Sequence, residues 1–283
     1  MADNGRAPLV YIPGSLQQLL QVYRKNPGAA VHAGGTYAAY QLQAEKKPPE
    51  QIIYLGNIEE LKKIARTDRY FEIGAGASFN QVLRIGKNLL PPLFLKALQQ
   101  TASYTVRTLA TIGGSIAAPG QRLDLFPALV LLDARVELRK GGSSRWLQPN
   151  RLFDEQGNSR IAPGELVTRL RIPIETWDRQ LYIKVPSRSS RDNFIFAGRG
   201  KIQKGLIQDF RFCFGGLARG ILRDKSIEAE ITGKKLPLLP KTVESIVLVL
   251  EKRLEAMTER LTPYQRSRAP VFLREFIEYL SKE

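Results

Sequence analysis

The sequence has very few of the side chains that bind metals or form covalent cross-links. Its 283 residues include one cysteine, Cys213, and one histidine, His32. One cysteine cannot form a disulfide within the chain, and the two residues together fall short of a structural zinc site or an iron–sulfur cluster. Any redox chemistry performed by this chain therefore requires an organic cofactor, and metal centres would have to reside on other chains.

Long apolar runs are also missing. No run approaches the roughly 20 apolar residues that a membrane-spanning helix requires. Residues 1–13 contain no apolar core of the length found in signal peptides. We therefore expect a cytoplasmic protein with no membrane association.

Acidic residues are too few to balance the basic ones. The 43 lysines and arginines exceed the 27 aspartates and glutamates, so that the formal net charge is +16. A charge of this size concerns partners rather than the fold, and the candidates are nucleic acid, acidic proteins and anionic ligands. The basic residues are scattered and no nucleic-acid-binding signature is present, so we do not expect nucleic acid as a partner.

The order of the predicted elements indicates an α+β fold with two domains. In the first half, short apolar strands alternate with helices, one of which starts with the capping pair Ser78 and Gln81. The second half changes to paired antiparallel strands over 194–203 and 206–217, followed by helices. We therefore predict an N-terminal domain of residues 1–176 and a smaller C-terminal domain of residues 177–283.

Four single residues support further structural predictions. Asn57 is predicted to cap a helix over 58–65, and Asp124 is predicted to cap the short helix that follows it. Pro270 suits the first position of the last helix. Cys213 lies in an apolar, strand-like run and is predicted to be a buried small side chain.

Two segments combine adjacent glycines with hydroxyl side chains. They read Ala33-Gly34-Gly35-Thr36 and Thr111-Ile112-Gly113-Gly114-Ser115. Glycine adopts positive φ readily and lets backbone N–H groups approach an anion, because no Cβ is in the way. A single Gly-Gly pair is most often an ordinary turn, but two such loops could bind the two phosphates of one dinucleotide. Asp124 could then accept hydrogen bonds from ribose or ribityl hydroxyls.

These segments resemble, in sequence, order and spacing, the two pyrophosphate loops of a known family. The family comprises the FAD-binding subunits of molybdenum hydroxylases, including those of xanthine dehydrogenase and carbon monoxide dehydrogenase. The matching segments, which lie within residues 8–235, are Val31–Thr36, Val106–Val136, Tyr182–Asp192 and Phe214–Gly216. The segment around the second glycine pair is the specific part of the resemblance.

The resemblance implies a FAD-binding domain of the vanillyl-alcohol-oxidase type, built from two α+β subdomains. A smaller C-terminal α+β domain, with an antiparallel sheet and helices, follows it. The implied cofactor is FAD, and no side chain is implied as an acid, base or nucleophile. The residues that the resemblance places at FAD are Val31, His32, Ala33, Gly34, Gly35, Thr36, Thr111, Gly113, Gly114, Ser115, Asp124, Val167 and Lys184.

The implied residues have different roles. The glycines, Thr36 and Thr111 would face the pyrophosphate, and Ser115 and Asp124 would bind ribityl or phosphate oxygens. Val167 would lie against the isoalloxazine ring, and Lys184 would place a positive charge near it. From the residues alone, Lys184 is equally well a surface lysine on a strand. For His32, the residues alone favour a packed or surface side chain beside a loop over contact with a cofactor.

The sequence departs from the family pattern at several positions. Ser115 stands in place of an asparagine, and Tyr37 in place of an aspartate or serine. Thr101 stands where some relatives have an aromatic ring beside the flavin. Pro119–Leu123 replaces a stretch of small or hydroxyl-bearing residues. We therefore predict a divergent site, whose affinity for FAD or orientation of the flavin is altered.

The resemblance implies an oxidoreductase subunit that transfers electrons. Electrons from a molybdopterin subunit would pass through an iron–sulfur subunit to FAD on this chain, and then to NAD⁺ or another acceptor. One alternative is a stand-alone flavin reductase of the same fold type, similar to UDP-N-acetylenolpyruvoylglucosamine reductase. Another is a basic scaffold subunit that has lost its flavin.

Overall fold

The described part of the chain forms three β-sheets, and each belongs to a different stretch of the sequence. The structure is a computed structural model. It describes residues 7–45, 48–86, 89–118, 124–154, 158–186, 193–217, 220–257 and 261–282. In this part of the chain, no helix combines the length and the apolar character needed to cross a bilayer.

The first sheet is parallel and has three strands. Its elements in chain order are β1 (Leu9–Tyr11), α1 (Leu16–Lys25), β2 (Ala30–His32), α2 (Thr36–Glu45) and β3 (Gln51–Tyr54). The strands lie in the order β1-β3-β2. Ser15 caps α1 by accepting a hydrogen bond from the Gln18 N–H. Leu19 of α1 and Ile53 of β3 are fully buried in the core of this sheet. The strand β2 ends at His32, two residues before Gly34.

The second sheet is antiparallel and has five strands. The elements are β4 (Ile64–Arg66), β5 (Tyr70–Gly74), α3 (Phe79–Leu83), α4 (Pro92–Gln100), α5 (Tyr104–Leu109), α6 (Ile112–Ala117), α7 (Phe126–Leu131), β6 (Arg135–Lys140), β7 (Ser143–Leu147) and β8 (Leu166–Pro173). The strand order is β4-β5-β8-β6-β7. One face buries Ile73, Val136 and Leu170, which alternate with polar residues as expected for a sheet covered on one side. Helices α3, α4, α6 and α7 contribute side chains to the core on this face, and α5 packs against α3.

The third sheet is antiparallel and has four strands. The elements are β9 (Arg179–Val185), β10 (Phe194–Gln203), β11 (Leu206–Leu217), β12 (Gly220–Leu222), α8 (Lys225–Ile231), α9 (Pro240–Glu255) and α10 (Pro263–Tyr279). The order is β12-β11-β10-β9. Phe196 and Phe212 pack on one face against the C-terminal helices. Tyr182, Ile195 and Cys213 face the other way and join the core of the second sheet.

The arrangement confirms the α+β class and the hairpin of β10 and β11. The predicted helix over 58–65 is wrong, because only Glu59–Lys62 forms a 3-10 turn and β4 follows it. The carbonyls of Leu61 and Lys63 accept hydrogen bonds from the N–H groups of Gly76 and Gly74. Tertiary pairing with β5 therefore overrides the local helical signal. The division at residues 176 and 177 stays a prediction.

Two helix starts also differ from the prediction. The helix α7 begins at Phe126 without a side-chain cap, because the Asp124 carboxylate binds other side chains. The last helix begins at Pro263, where Thr262 and Gln265 form a capping box. Pro270 lies inside that helix rather than at its start. The pair Thr262 and Gln265 is a stronger start signal than a lone proline.

Cys213 is buried in β11, as predicted from the sequence. Burial raises the pKa of its thiol far above the ordinary value. Since the thiolate is the reactive form, we expect no labelling of the native protein by a maleimide at mildly alkaline pH. Unfolding in guanidinium should expose a single reactive thiol per chain. Rapid labelling without denaturant would contradict the described packing of β11.

Candidate functional site

The first glycine segment connects β2 to α2. Gly35 has a φ of +70°, and a Cβ at this position would meet nothing within 4 Å. Gly34 is tightly packed, because a Cβ there would overlap the backbone carbonyl oxygen of Leu109. One glycine therefore serves the backbone conformation of the turn, and the other serves a close approach to a distant segment.

The same segment presents backbone N–H groups that are not used inside the protein. Among the described residues, the N–H groups of Gly34, Gly35 and Thr36 donate no hydrogen bond. These N–H groups lie at the N-terminus of α2, a helix of ten residues with no acidic side chain in its first turn. Unused N–H groups and the positive end of the helix dipole favour a bound anion. These residues fit the phosphates of a dinucleotide.

The second glycine segment is a helix rather than a loop. Thr111 caps α6, and its hydroxyl accepts a hydrogen bond from the Gly114 N–H at 3.1 Å. The Gly113 N–H donates to Ala75 O at 2.8 Å, and the N–H groups of the residues on either side of Gly113 and Gly114 are also used within the chain. A Cβ at Gly113 would lie 2.5 Å from the Ala75 Cβ. The glycines of this segment therefore allow close packing, and they do not offer free N–H donors.

The structure brings the two glycine segments side by side. A Cβ at Gly34 would lie 3.2 Å from the Ala110 nitrogen, and Ala110 directly precedes Thr111. The Ala110 carbonyl is itself fixed by the Phe79 N–H at 3.0 Å. A diphosphate bound at the start of α2 would thus lie next to the start of α6. The contact of Thr111, Gly113, Gly114 and Ser115 with a cofactor stays a prediction.

Asp124 and Lys184 form a second group of candidate residues. The Lys184 ammonium lies 2.6 Å from Asp124 Oδ2, and their side chains are only 13% and 15% exposed. Asn193 Nδ2 donates to Asp124 Oδ1 at 3.0 Å. The Tyr182 hydroxyl donates to the Asp124 carbonyl oxygen at 2.7 Å. Lys184 also donates to Gln100 O at 3.0 Å, which joins β9 to the end of α4.

This pairing changes what the sequence alone indicated for both residues. Lys184 is neither a solvated surface lysine nor an isolated positive charge, because the Asp124 carboxylate balances it. Burial, followed by the nearby Asp124 charge, raises the pKa of Tyr182 well above its usual value, so its hydroxyl remains a donor. The pair is therefore an oriented dipole held by Asn193 and Tyr182.

The remaining candidate residues lie close to these two groups or within the core. Val167 belongs to β8, is 9% exposed and pairs with Leu138 of β6. His32 ends β2; its carbonyl accepts a hydrogen bond from the Leu55 N–H, and partial burial lowers the pKa of its imidazole. Val31 and Ala33 pack against the core of the first sheet. Their contacts with a cofactor stay predictions.

The residues that depart from the family pattern have ordinary partners where the structure describes them. The Thr101 hydroxyl donates to Ala97 O at 2.7 Å, and its backbone N–H donates to Leu98 O at the end of α4. The Tyr37 ring lies 6.3 Å from the Tyr40 ring within α2. Residues 119–123 and 187–192 lie outside the described residues.

Sequence reasoning missed the residues that connect the candidates. Asn193 and Tyr182 hold Asp124, and Gln100 contributes only its backbone carbonyl. A carbonyl has no sequence signature, which is why Gln100 could not be found. Tyr182 and Asn193 lie in or beside the segment that resembles the family, so a tyrosine two residues before Lys184 was the available signal.

Comparison with known protein families identifies one family model. The model described as FAD binding domain in molybdopterin dehydrogenase matches residues 4–175. The matched region contains both glycine segments, Asp124 and Val167, but not Lys184.

Curated relatives extend the similarity beyond this region. The chain is 26% identical over 227 residues to the glyceraldehyde dehydrogenase medium chain of Sulfolobus acidocaldarius, covering 78% of this chain and 80% of that one. It is 25% identical over 258 residues to a xanthine dehydrogenase of Emericella nidulans, covering 86% of this chain. The chain spans only 19% of that longer relative.

A solved structure shows the same fold over nearly the whole chain. Superposition on a chain of quinoline 2-oxidoreductase from Pseudomonas putida 86 gives a TM-score of 0.82 at 20% identity. The match covers 98% of this chain and 97% of that one. It confirms the α+β fold that the resemblance implied, including the C-terminal sheet and helices.

Proposed function

The chain belongs to the family of FAD-binding domains found in molybdopterin dehydrogenases, and on this premise we propose that it is the flavin-binding, electron-transfer subunit of a xanthine dehydrogenase-type molybdenum hydroxylase. The observation that carries the proposal is the contact between Gly34 and the Leu109 carbonyl. It joins the unused N–H groups at the start of α2 to the helix α6, which carries the second glycine pair.

The residues would divide the work of holding FAD. The N–H groups of Gly34, Gly35 and Thr36 would bind pyrophosphate oxygens. Gly114, which is exposed, would allow the diphosphate to approach α6 without a clash from a side chain, whereas Gly113 packs against Ala75. The Ser115 hydroxyl would donate to ribityl or phosphate oxygens, the Asp124 carboxylate would accept from ribityl hydroxyls, and Val167 would lie against the isoalloxazine ring. Bound FAD supplies the redox chemistry of the subunit, accepting electrons and passing them to the next acceptor.

The role of Lys184 follows from its partner. Its ammonium is held by Asp124 and by the Gln100 carbonyl, so its direction is fixed before any ligand binds. A preorganised positive group of this kind would stabilise negative charge that develops beside it without having to move. The Asp124 carboxylate reduces the effect of the Lys184 charge, because the salt bridge leaves the pair nearly neutral.

The metal centres of the proposed complex belong to other chains. The whole sequence contains one cysteine, which cannot hold an iron–sulfur cluster. We therefore assign the iron–sulfur clusters and the molybdopterin to partner subunits. The proposed substrates are heterocycles or aldehydes, and NAD⁺ is the proposed acceptor. The net charge of +16 favours acidic faces on those partners.

Purification of this chain through an affinity tag from its native host tests the proposal. We expect two further chains to co-purify, with molybdenum and iron–sulfur absorbance in the complex. Anaerobic addition of a heterocyclic or aldehyde substrate should bleach the flavin band, and NAD⁺ should restore it. A yellow chain that purifies alone and is reduced directly by a nicotinamide would instead identify a stand-alone reductase. A colourless chain would identify the flavin-free scaffold.

A further inference from the structure

The segment from Gln100 to Ala110 runs between the two groups of candidate residues. At one end, the Gln100 carbonyl accepts a hydrogen bond from Lys184. At the other end, the Leu109 carbonyl lies against Gly34. Helix α5 occupies most of the segment and spans about 9 Å, at roughly 1.5 Å for each of its residues. A dinucleotide reaching from Gly34 to Lys184 would therefore lie alongside α5.

This segment is held rigidly from both sides. Arg107 Nη1 donates to the carbonyls of Gln99, Thr101 and Ala102, at 2.9, 3.2 and 2.7 Å, and so fixes the turn before α5. Asn80 Nδ2 donates to the Tyr104 carbonyl at 3.2 Å from the direction of α3. The backbone of Tyr104 thus has little freedom although the helix is short.

The side chains on this rigid segment are unusually exposed and apolar. Tyr104 is 68% exposed, Leu109 56% and Val106 38%. An exposed aromatic ring on a fixed backbone is already positioned for a planar ligand, because little conformational entropy is lost on contact. Among these three exposed apolar side chains, Tyr104 is the closest along the chain to Gln100, and therefore to the Lys184 end of the segment.

We propose that Tyr104 is a flavin-contacting residue that stacks against the isoalloxazine half of FAD. This inference rests on the proposed function, since it requires FAD to bind between Gly34 and Lys184. The interaction would be stacking of the tyrosine ring on the planar flavin. Such stacking is favourable for any planar aromatic ligand and does not require a particular hydrogen bond. Among the residues that the sequence analysis placed at FAD, only His32 carries an aromatic ring, and it ends β2 beside the first glycine segment. Tyr104 would therefore supply the ring at the flavin end.

Titration of the apo protein with FAD, FMN and ADP tests this assignment. FMN carries the flavin half of the cofactor, and ADP carries the adenosine and diphosphate half. For Tyr104→Ala we expect the affinities for FAD and FMN to fall by about tenfold to a hundredfold, and the affinity for ADP to stay within about twofold. Tyr104→Phe keeps the ring and should bind all three ligands about as the wild type does. The flavin absorption bands of the bound FAD should shift in Tyr104→Ala but not in Tyr104→Phe.

Tyr264→Ala provides the matched control, because Tyr264 is a 47% exposed tyrosine on α10. It should leave all three affinities unchanged. Equal affinities of Tyr104→Ala and wild type for FMN would overturn the assignment, and so would an equal loss of FMN and ADP binding. Failure of the wild type to bind FAD would instead contradict the proposed function. Should Tyr104→Ala fold poorly, Tyr104→Ser, assayed only in samples with the wild-type melting temperature, decides by the same criteria.

Discussion

Replacing Gly34 by alanine is expected to lower the affinity for FAD by about a hundredfold, because the new Cβ would overlap the Leu109 carbonyl oxygen. The obstacle is backbone, so no side-chain rotation can relieve it. Either the turn after β2 or the segment before α6 must move, and the two glycine segments separate. Overpacking of this kind costs about 1–3 kcal/mol, and a hundredfold loss of affinity corresponds to about 2.7 kcal/mol. Calorimetric titration with FAD measures the change.

Two neighbouring glycines provide controls for Gly34→Ala. A Cβ at Gly28 or at Gly35 would meet nothing within 4 Å, but only Gly35 has a positive φ, of +70°. Gly28→Ala should therefore bind FAD like the wild type. In Gly35→Ala, backbone strain should lower the free energy of unfolding by about 1 kcal/mol, without any steric overlap. Equal affinities for Gly34→Ala and Gly28→Ala would show that the contact with Leu109 does not matter.

Replacing Asp124 by asparagine is expected to destabilise the apo protein by about 2–4 kcal/mol. The substitution removes the negative charge 2.6 Å from the Lys184 ammonium, which is only 13% exposed. A buried charge without its partner is strongly unfavourable. Breaking a fully buried ion pair costs about 3–5 kcal/mol. A slightly smaller loss is expected here, because the Gln100 carbonyl remains as a hydrogen-bond acceptor and the pair is partly exposed to solvent. Chemical denaturation of the flavin-free protein provides the measurement.

A double-mutant cycle separates the loss of the salt bridge from other effects of the substitution. Lys184→Met leaves the long apolar part of the side chain and removes the charge. The variant carrying both Asp124→Asn and Lys184→Met should be more stable than Asp124→Asn alone, because no unpaired ammonium remains. Additive losses in the double variant would mean that the two charges do not interact, contrary to the geometry of the pair.

Much of the fold follows from local patterns in the sequence. The pair Ser78 and Gln81 opens a helix, α3, as predicted, and it forms a capping box there. The turn at Lys204 and Gly205 joins the two predicted strands β10 and β11, and both residues have positive φ. These features were predictable because the interactions that stabilise them lie within a few residues of one another.

The predictions that are wrong depended on partners far along the chain. Asp124 has the side chain of a helix cap, but Lys184 and Asn193 compete for its carboxylate from β9 and the start of β10. Residues 58–65 have a helical signal, but the carbonyls of Leu61 and Lys63 accept hydrogen bonds from N–H groups at and just after the end of β5. Long-range partners of this kind have no local signature.

The candidate site was partly predictable, because some of its features are marked by local sequence and others depend on distant partners. The glycines marked both segments, because close approach of backbone requires the absence of a Cβ, and Gly34 and Gly113 both show such contacts. The use of the N–H groups in the second segment was not predictable. Ala75 and Ala77, whose carbonyls accept two of them, lie in a stretch with no feature that marks it as a partner.

Titration of the purified, flavin-free protein with FAD, followed by calorimetry and by the melting temperature, tests the central claim most directly. We expect saturable binding of a single FAD per chain and a melting temperature that rises with FAD concentration. We also expect the affinity to be about a hundredfold lower in Gly34→Ala and unchanged in Gly28→Ala. No heat of binding and an unchanged melting curve at saturating FAD would contradict the claim that the two glycine segments together bind one diphosphate.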